Sequence, residues 1–347
     1  MEAPLTIVWK KSLSCVFVLA LVLGGIGIST HSLLAATVHV SPSGDDANPG
    51  TPEQPVGTVS KALGLVAGKE EPCEIILHKG VYPGGVTVGR QLERNKGPLP
   101  ALLITAAENA DGSFEEVVFD GGRTISESEP VAGKPGVFKA PGAYDLSVTK
   151  LNMWEADARI RYTLAADRAA VEQFPASFWC DGGSLFVHTS DGRAPAAHEI
   201  GITGIPCEGI MVWRQNTTVR GLRFRNFLAW WWSGGVILRA ANSAVEDCQA
   251  WNCDKGFEAL DEGVAGMRII RCRSDDCFVG AYLSGSGMVE DCRFIKVRDR
   301  FMIRRYPQED CGIKFYYPRL RGDGAAQSLR RLRQRHLRQA QGQHVHL

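Results

Sequence analysis

VRGLRFRN (219–226), VEDCQAWN (245–252), IIRCRSDD (269–276) and VEDCRFIK (289–296) superimpose on one another. Their matching positions, Leu222, Cys248, Cys272 and Cys292, lie 26, 24 and 20 residues apart. Between them a glycine-led stretch recurs as GVIL (235–238), GFEAL (256–260) and GAYL (280–283). Helical repeats need longer segments with a 3.6-residue period, and none is visible here. A repeat of this length, made of two or three short strands, predicts an all-β parallel β-helix solenoid whose coils stack on one another. Side chains alternate across a strand, which assigns faces. Leu222, Phe224 and Asn226 point inward, as do Cys248, Ala250 and Asn252, then Cys272, Ser274 and Asp276, then Cys292 and Phe294. Ile237, Glu258 and Tyr282 form one exposed row; Arg223, Gln249, Arg273 and Arg293 form another, with Trp251 and Asp275 nearby. One coil alone cannot bury its apolar face. Stacking at about 4.8 Å per coil does so, and the open end then needs a cap.

Upstream, Val38 and Val40 alternate like a strand. Val59, Leu63 and Val66 mark one face of a short helix over 59–66, the candidate cap. EIILHKGVYPGGVTV (74–88) and ALLITAAENADGSFEEVVFDGG (101–122) each predict two short strands. Residues 130–205 break the rhythm and form an inserted β-rich segment. Within it Phe178-Trp179-Cys180 and Leu185-Phe186-Val187 flank Asp181-Gly182-Gly183 as a hairpin. The organisation expected is therefore a leader (1–36), a cap with the first coils (37–129), the insertion (130–205), further coils (206–317) and a basic tail (318–347). Cys248, Cys272 and Cys292 form one row and Cys253 and Cys277 a second. Parallel in-register strands hold their Cβ atoms near the coil spacing, wider than the ~3.8 Å that a disulfide wants, so free buried thiols are expected.

Composition narrows the field. Of 347 residues 44% are hydrophobic and 22% charged, which excludes a disordered or fibrous chain. Lys and Arg total 39 against 38 Asp and Glu, so no global field points to nucleic acid. At the N-terminus Lys10 and Lys11 precede an uncharged run from Leu13 to Ile28, with Ala35 and Ala36 at a plausible cleavage point. That run is short for a membrane span and reads as an export signal. From Pro318 onward the chain carries seven Arg and no Lys, as a solvated basic tail or an out-of-frame end.

Residues 246–291 hold ten acids against four bases, and 293–305 turn basic. An acidic patch beside a basic one suits a sugar-acid site, and equally suits two solvated solenoid faces. Glycoside hydrolysis takes two carboxyls, about 5–5.5 Å apart for retention and 6.5–9.5 Å for inversion. Glu258 with Asp261 or Glu262 is the candidate pair. For β-elimination Lys255 is a candidate base. A cation such as Ca²⁺ on Asp254 or Asp275 would neutralise a uronate carboxylate. Trp231, within Trp230-Trp231-Trp232, together with Trp251 and Tyr282, offers aromatic platforms for sugar rings, and Arg273 and Arg293 offer anion contacts.

VSPSGDDANPGTPEQPVGTVSKAL (40–63), EIILHKGVY (74–82) and ITAAENADGSFEEVVFDGG (104–122) resemble the opening of secreted right-handed parallel β-helix proteins of the pectate-lyase-like superfamily. ARIRYTLAADRAAVEQFPASFWCDGGSLFVHTSDG (158–192) is similar to an insertion in bacterial members. The resemblance covers roughly 38–300. It implies a right-handed parallel β-helix and a carbohydrate-active protein, a polysaccharide lyase or glycoside hydrolase. It carries no catalytic motif residue by residue, and about four late coils are visible where members usually carry more. The expectation is an exported monomer, secreted, periplasmic or at the cell surface, that cleaves a polysaccharide. The competing readings are a non-catalytic glycan-binding or adhesion solenoid and an inactive truncated fragment.

Overall fold

A computed structural model describes residues 36–91, 98–142, 152–155, 157–158, 160–203, 208–228, 233–261, 264–284, 287–295 and 311–316. The expected leader, the tail, Trp231 and Glu262 fall outside these residues, except that Ala36 opens the first strand.

Three parallel sheets wrap around one core. Sheet A runs Ala36–Val40, Cys73–Leu77, Leu102–Ala106, Thr217–Arg220, Ala244–Glu246, Arg268–Ile270 and Met288–Glu290. Sheet B runs Gly80–Pro83, Val117–Asp120, Arg223–Arg225, Gln249–Trp251, Arg273–Asp275 and Arg293–Ile295. Sheet C runs Val86–Val88, Ile210–Val212, Gly234–Leu238, Lys255–Ala259, Val279–Ser284 and Cys311–Tyr316. The chain visits A, B and C in turn, so the described residues make six coils of a parallel β-helix preceded by one extra strand on sheet A. That is two more coils than the late repeats alone reveal. The early ones diverge in sequence, and 74–88 holds three strands rather than two.

The central column is present. The amides of Gln249, Arg273 and Arg293 donate to the carbonyls of Leu222, Cys248 and Cys272 at 2.9 Å each. Leu222 and Cys248 are wholly buried, and Cys272 and Cys292 nearly so. On sheet B the inward column is Tyr82, Phe119, Phe224, Ala250, Ser274 and Phe294. The first three rings stack with centroids 5.4 Å apart. Sheet C makes room for them with glycine. A Cβ on Gly209 would meet the Phe224 ring at 2.6 Å, and one on Gly280 would meet the Phe294 ring at 2.6 Å. The glycine that leads each repeat is therefore a packing requirement.

Asn226 and Asn252 are buried and Asp276 is half-buried, but none of the three continues its strand. Each occupies the corner between sheets B and C with positive φ (68°, 52° and 56°), a left-handed conformation that Asn and Asp tolerate. The two asparagine amides form a ladder that ends on Asp120: Asn252 Nδ2 donates to Asn226 Oδ1 at 2.7 Å, and Asn226 Nδ2 to Asp120 Oδ1 at 2.8 Å.

The helix α1 (Val59–Val66) begins where Thr58 Oγ1 accepts from the Lys61 amide at 3.1 Å, and Asp46 in turn holds the Thr58 hydroxyl at 2.8 Å. Val59 and Ala62 are buried, and Leu63 and Val66 pack partly against the same core. The helix touches the first strands of sheets A and C, so it lies over the N-terminal coil as a cap.

Between the second and third strands of the second coil, residues 123–203 supply a separate eight-stranded sheet. Its spatial order is Arg123–Thr124, Ile200–Thr203, Asn152–Glu155, Ile160–Leu164, Ser177–Cys180, Ser184–His188, Val137–Pro141 and Glu129–Pro130. The hairpin pairs Phe178 with Val187, and Asp181 Oδ1 closes its turn by accepting from Ser184 N at 2.7 Å. Met153, Phe178, Leu185, Ile200 and Ile202 form its own core. Among the described residues, Asn152 and Arg161 tie it to the coils: Asn152 Nδ2 donates to the Leu228 carbonyl at 2.7 Å, and Arg161 hydrogen-bonds the Asn252 amide.

Seven cysteines (Cys73, Cys180, Cys248, Cys253, Cys272, Cys277 and Cys292) are buried free thiols. Burial pushes the Cys248 thiol up to about 12. A thiol reagent counted on the native and then the urea-unfolded chain should therefore label at most the other three of the ten cysteines first, and all ten after unfolding. Rapid native labelling of more than three would contradict the core assignment.

Candidate functional site

Two outer faces carry the chemistry, and the sequence-assigned residues divide between them. On sheet C the outward column is Thr87, Met211, Ile237, Glu258, Tyr282 and Lys314. The register matches the expected row, but the exposure does not: Ile237 and Glu258 are both 0% accessible. Alternation tells which side of a sheet a residue takes, not what covers it. Arg239, one coil earlier, lies across Glu258, and its guanidinium pairs with Glu258 Oε1 and hydrogen-bonds the Leu260 carbonyl. Lys255 Nζ meets Glu258 Oε2 at 2.5 Å, an ion contact rather than a well-aligned hydrogen bond. Lys255 also lies 5.4 Å from the Tyr282 ring centroid, and Lys314 lies 5.2 Å from it.

Glu258 is thus one buried carboxylate between two cations, both themselves buried. Such a group is sealed from substrate, which suits positioning and not proton donation to a glycosidic oxygen. Asp261 is half-exposed, with its amide on Ser284 Oγ at 3.3 Å. Arg239 escaped the sequence reading. Its signal is an arginine directly following five buried strand residues, a place where an unpaired charge is costly.

Sheet B carries the second group. Arg223, Gln249, Arg273 and Arg293 stand in register and are all exposed, as the alternation predicts. Beside them runs the column Asp120, Arg225, Trp251, Asp275 and Ile295. Asp120 holds Arg225 Nε at 2.6 Å, and Asp275 lies 3.5 Å from Arg273 Nη2. Arg223 pairs with Glu116; among the described residues Arg293 pairs with no carboxylate. Trp251 is half-buried, leaving part of its ring system open.

Asp254 and Asp275, the expected cation ligands, do not share a face. Asp275 belongs to sheet B beside Trp251, whereas Asp254 is buried at the start of the sheet C strand, beyond the Asn252 corner. Lys255, Glu258 and Tyr282 come together on one face and Trp251, Arg273, Arg293 and Asp275 on the other.

No family model and no curated protein matches this chain. Solved structures do share its fold. A structure described as a glycoside hydrolase aligns at 11% identity over 75% of this chain and 73% of its own, with a TM-score of 0.50. The complex of XylC with xylose aligns at 12% identity over 75% and 64%, with a TM-score of 0.45. Pectate lyase Pel9A aligns at 14% over 79% and 58%, with a TM-score of 0.38. The chain thus spans less than two thirds of the XylC and Pel9A chains. At these identities the likeness concerns the fold, the parallel β-helix already evident in the strand register, and leaves the reaction to the residues themselves.

Proposed function

We propose that this is an exported carbohydrate-active β-helix protein that holds an acidic polysaccharide along the outer face of sheet B. The observation that carries the reading is the exposed in-register row Arg223, Gln249, Arg273 and Arg293. Successive coils repeat at about 4.8 Å, so the row offers three guanidinium forks and the Gln249 amide to a chain of carboxylates lying along the helix axis. Trp251 beside it supplies an apolar face for sugar C–H groups. The fold shared with a glycoside hydrolase supports a carbohydrate partner. Export rests on Lys10, Lys11 and the apolar run after them.

Of the two cleavage chemistries, β-elimination suits the described residues better. An arginine that neutralises a uronate carboxylate makes the adjacent C–H more acidic. Lys255, buried against Glu258 on the other face, is not placed to act as the base, so a neighbouring arginine of the row takes that proton. The C–O bond to the leaving sugar breaks, the leaving oxygen takes up a proton from water, and an unsaturated product results. Hydrolysis through Glu258 would need a carboxyl that reaches substrate, and Glu258 is sealed.

Retention on immobilised polygalacturonate tests the reading. Arg273→Ala with Arg293→Ala should weaken binding about tenfold at low salt, and a neutral polysaccharide should bind neither protein. Ultraviolet absorbance of unsaturated products reports elimination; reducing ends without it report hydrolysis; neither, with binding intact, leaves a glycan-binding solenoid. Wild-type and variant retention that is equal or absent would contradict the sheet B assignment.

A further inference from the structure

Within the inserted sheet, three ligand side chains converge from two separate segments. Glu155 ends one strand, Asp157 follows it, and His198 precedes the strand Ile200–Thr203 that pairs alongside. His198 Nδ1 lies 3.0 Å from Glu155 Oε1 and 3.3 Å from Asp157 Oδ2. The His198 and Glu155 side chains are 2% and 1% accessible, while Asp157 is 42% accessible and opens the cluster to solvent.

The outer atom of every member is already held. His198 Nε2 faces Asp191 Oδ1 at 3.0 Å. Glu155 Oε2 accepts from the Tyr162 hydroxyl at 2.7 Å and the Ser190 hydroxyl at 2.8 Å. Asp157 Oδ1 accepts from the Glu199 amide at 3.2 Å. What remains is one ring nitrogen and two carboxylate oxygens, all within 4.8 Å of one another, the nitrogen within hydrogen-bond range of Asp157 Oδ2. One imidazole N–H can be directed at only one of those oxygens. A tetrahedral ion with ligands at about 2.0 Å places neighbouring ligand atoms about 3.3 Å apart, close to the two separations seen. The carboxylate behind the imidazole and the hydroxyls behind Glu155 are the outer-shell supports that orient ligands at metal centres. Charge agrees with this arrangement: three carboxylates gather around a single histidine, and Arg193, 2.5 Å from Asp191 Oδ2, is the one other cation paired into the cluster among the described residues.

We infer that Glu155, Asp157 and His198 form a zinc site, closed by solvent at the fourth position, that locks the loop after Glu155 onto the His198 segment. Imidazole with two carboxylates selects zinc over calcium, which prefers six or more oxygens. The site is separate from both coil faces described above and does not depend on the glycan reading. Its place is at the margin of the sheet that Asn152 and Arg161 fasten to the solenoid.

The test uses the full chain, stripped with chelator and titrated with Zn²⁺ by calorimetry. One equivalent should bind, and the melting temperature should rise. Asp157→Asn, at the exposed ligand, should abolish both effects while circular dichroism stays native. Asp191→Asn, which among the three ligands touches only the imidazole, should weaken binding 10- to 100-fold. His344→Gln with His346→Gln should bind as wild type, and Ca²⁺ should give no effect. Co²⁺ in place of zinc should show a tetrahedral visible spectrum without a thiolate charge-transfer band. Absence of zinc binding, stoichiometry unchanged in Asp157→Asn, or a thiolate band from Co²⁺ would each overturn the assignment.

Discussion

Glu258→Ala is expected to lower the unfolding free energy by about 3–5 kcal/mol, the cost of leaving buried charge uncompensated. The carboxylate is wholly buried, and removing it strands Arg239 and Lys255 together at 5% and 7% side-chain accessibility. Two like charges would then face one another where water cannot screen them. Glu258→Gln keeps the shape and should cost nearly as much, because the charge rather than the volume holds the cluster. Replacing all three by Arg239→Met, Lys255→Met and Glu258→Leu should recover most of the loss, since an apolar trio carries no desolvation penalty. Urea unfolding of the four proteins separates these cases. A Glu258→Ala protein as stable as wild type would mean that the face is open to solvent. Glu258 would then return as a catalytic candidate.

Gly256→Ala should be almost as damaging, at about 2–3 kcal/mol. A Cβ there would lie 2.6 Å from the Gly280 carbonyl and 2.7 Å from the Ser274 Cβ. The first contact is with backbone of the next coil, which cannot swing away as a side chain would. Gly256 is not in the left-handed region, so alanine suffers no backbone strain and the cost comes from forcing two coils apart. Gly64→Ala supplies the control. Gly64 lies inside α1 with nothing within 4 Å of an added Cβ. There the same substitution should stabilise by about 0.5–1 kcal/mol, through helix propensity and a less flexible unfolded chain. Equal effects at the two sites would argue against close stacking at Gly256.

The contrast between these glycines shows which parts of the molecule were legible in advance. Leu222, Cys248, Cys272 and Cys292 betray the solenoid because each coil must offer the next a matching surface, and matching surfaces leave a period in the sequence. The exposed arginine row follows from the same alternation. The fate of Glu258 does not, because its burial depends on Arg239 reaching across from a different coil. The corners are only partly legible for a related reason. Asn226, Asn252 and Asp276 continue the strand pattern on paper, whereas the chain turns on them through positive φ. The Glu155, Asp157 and His198 cluster was invisible because it occurs once, in a segment without repeats, and Glu155 and His198, 43 residues apart, are brought together by the antiparallel pairing of their flanking strands. Burial lowers the proton affinity of His198, but hydrogen bonds to Asp157 and Asp191 and the Glu155 charge outweigh it and raise the ring above its ordinary value. The backbone and side-chain bonds of Arg193 hold Asp191 down at about 2.

Distances along the outer edge of sheet B give the most direct check on the coil. Val81, Val118, Arg223, Gln249, Arg273 and Arg293 occupy one position on six successive coils. With Cys15, Cys207 and Cys311 replaced by serine, spin labels on cysteines placed at Val81 and at each of the others in turn would measure the climb by pulsed or continuous-wave resonance, since the seven buried native thiols resist labelling. The separation should grow by about 4.8 Å per coil and reach about 24 Å between positions 81 and 293, with a narrow distribution. Separations that fail to rise in that order, or that scatter broadly, would contradict the stacked solenoid.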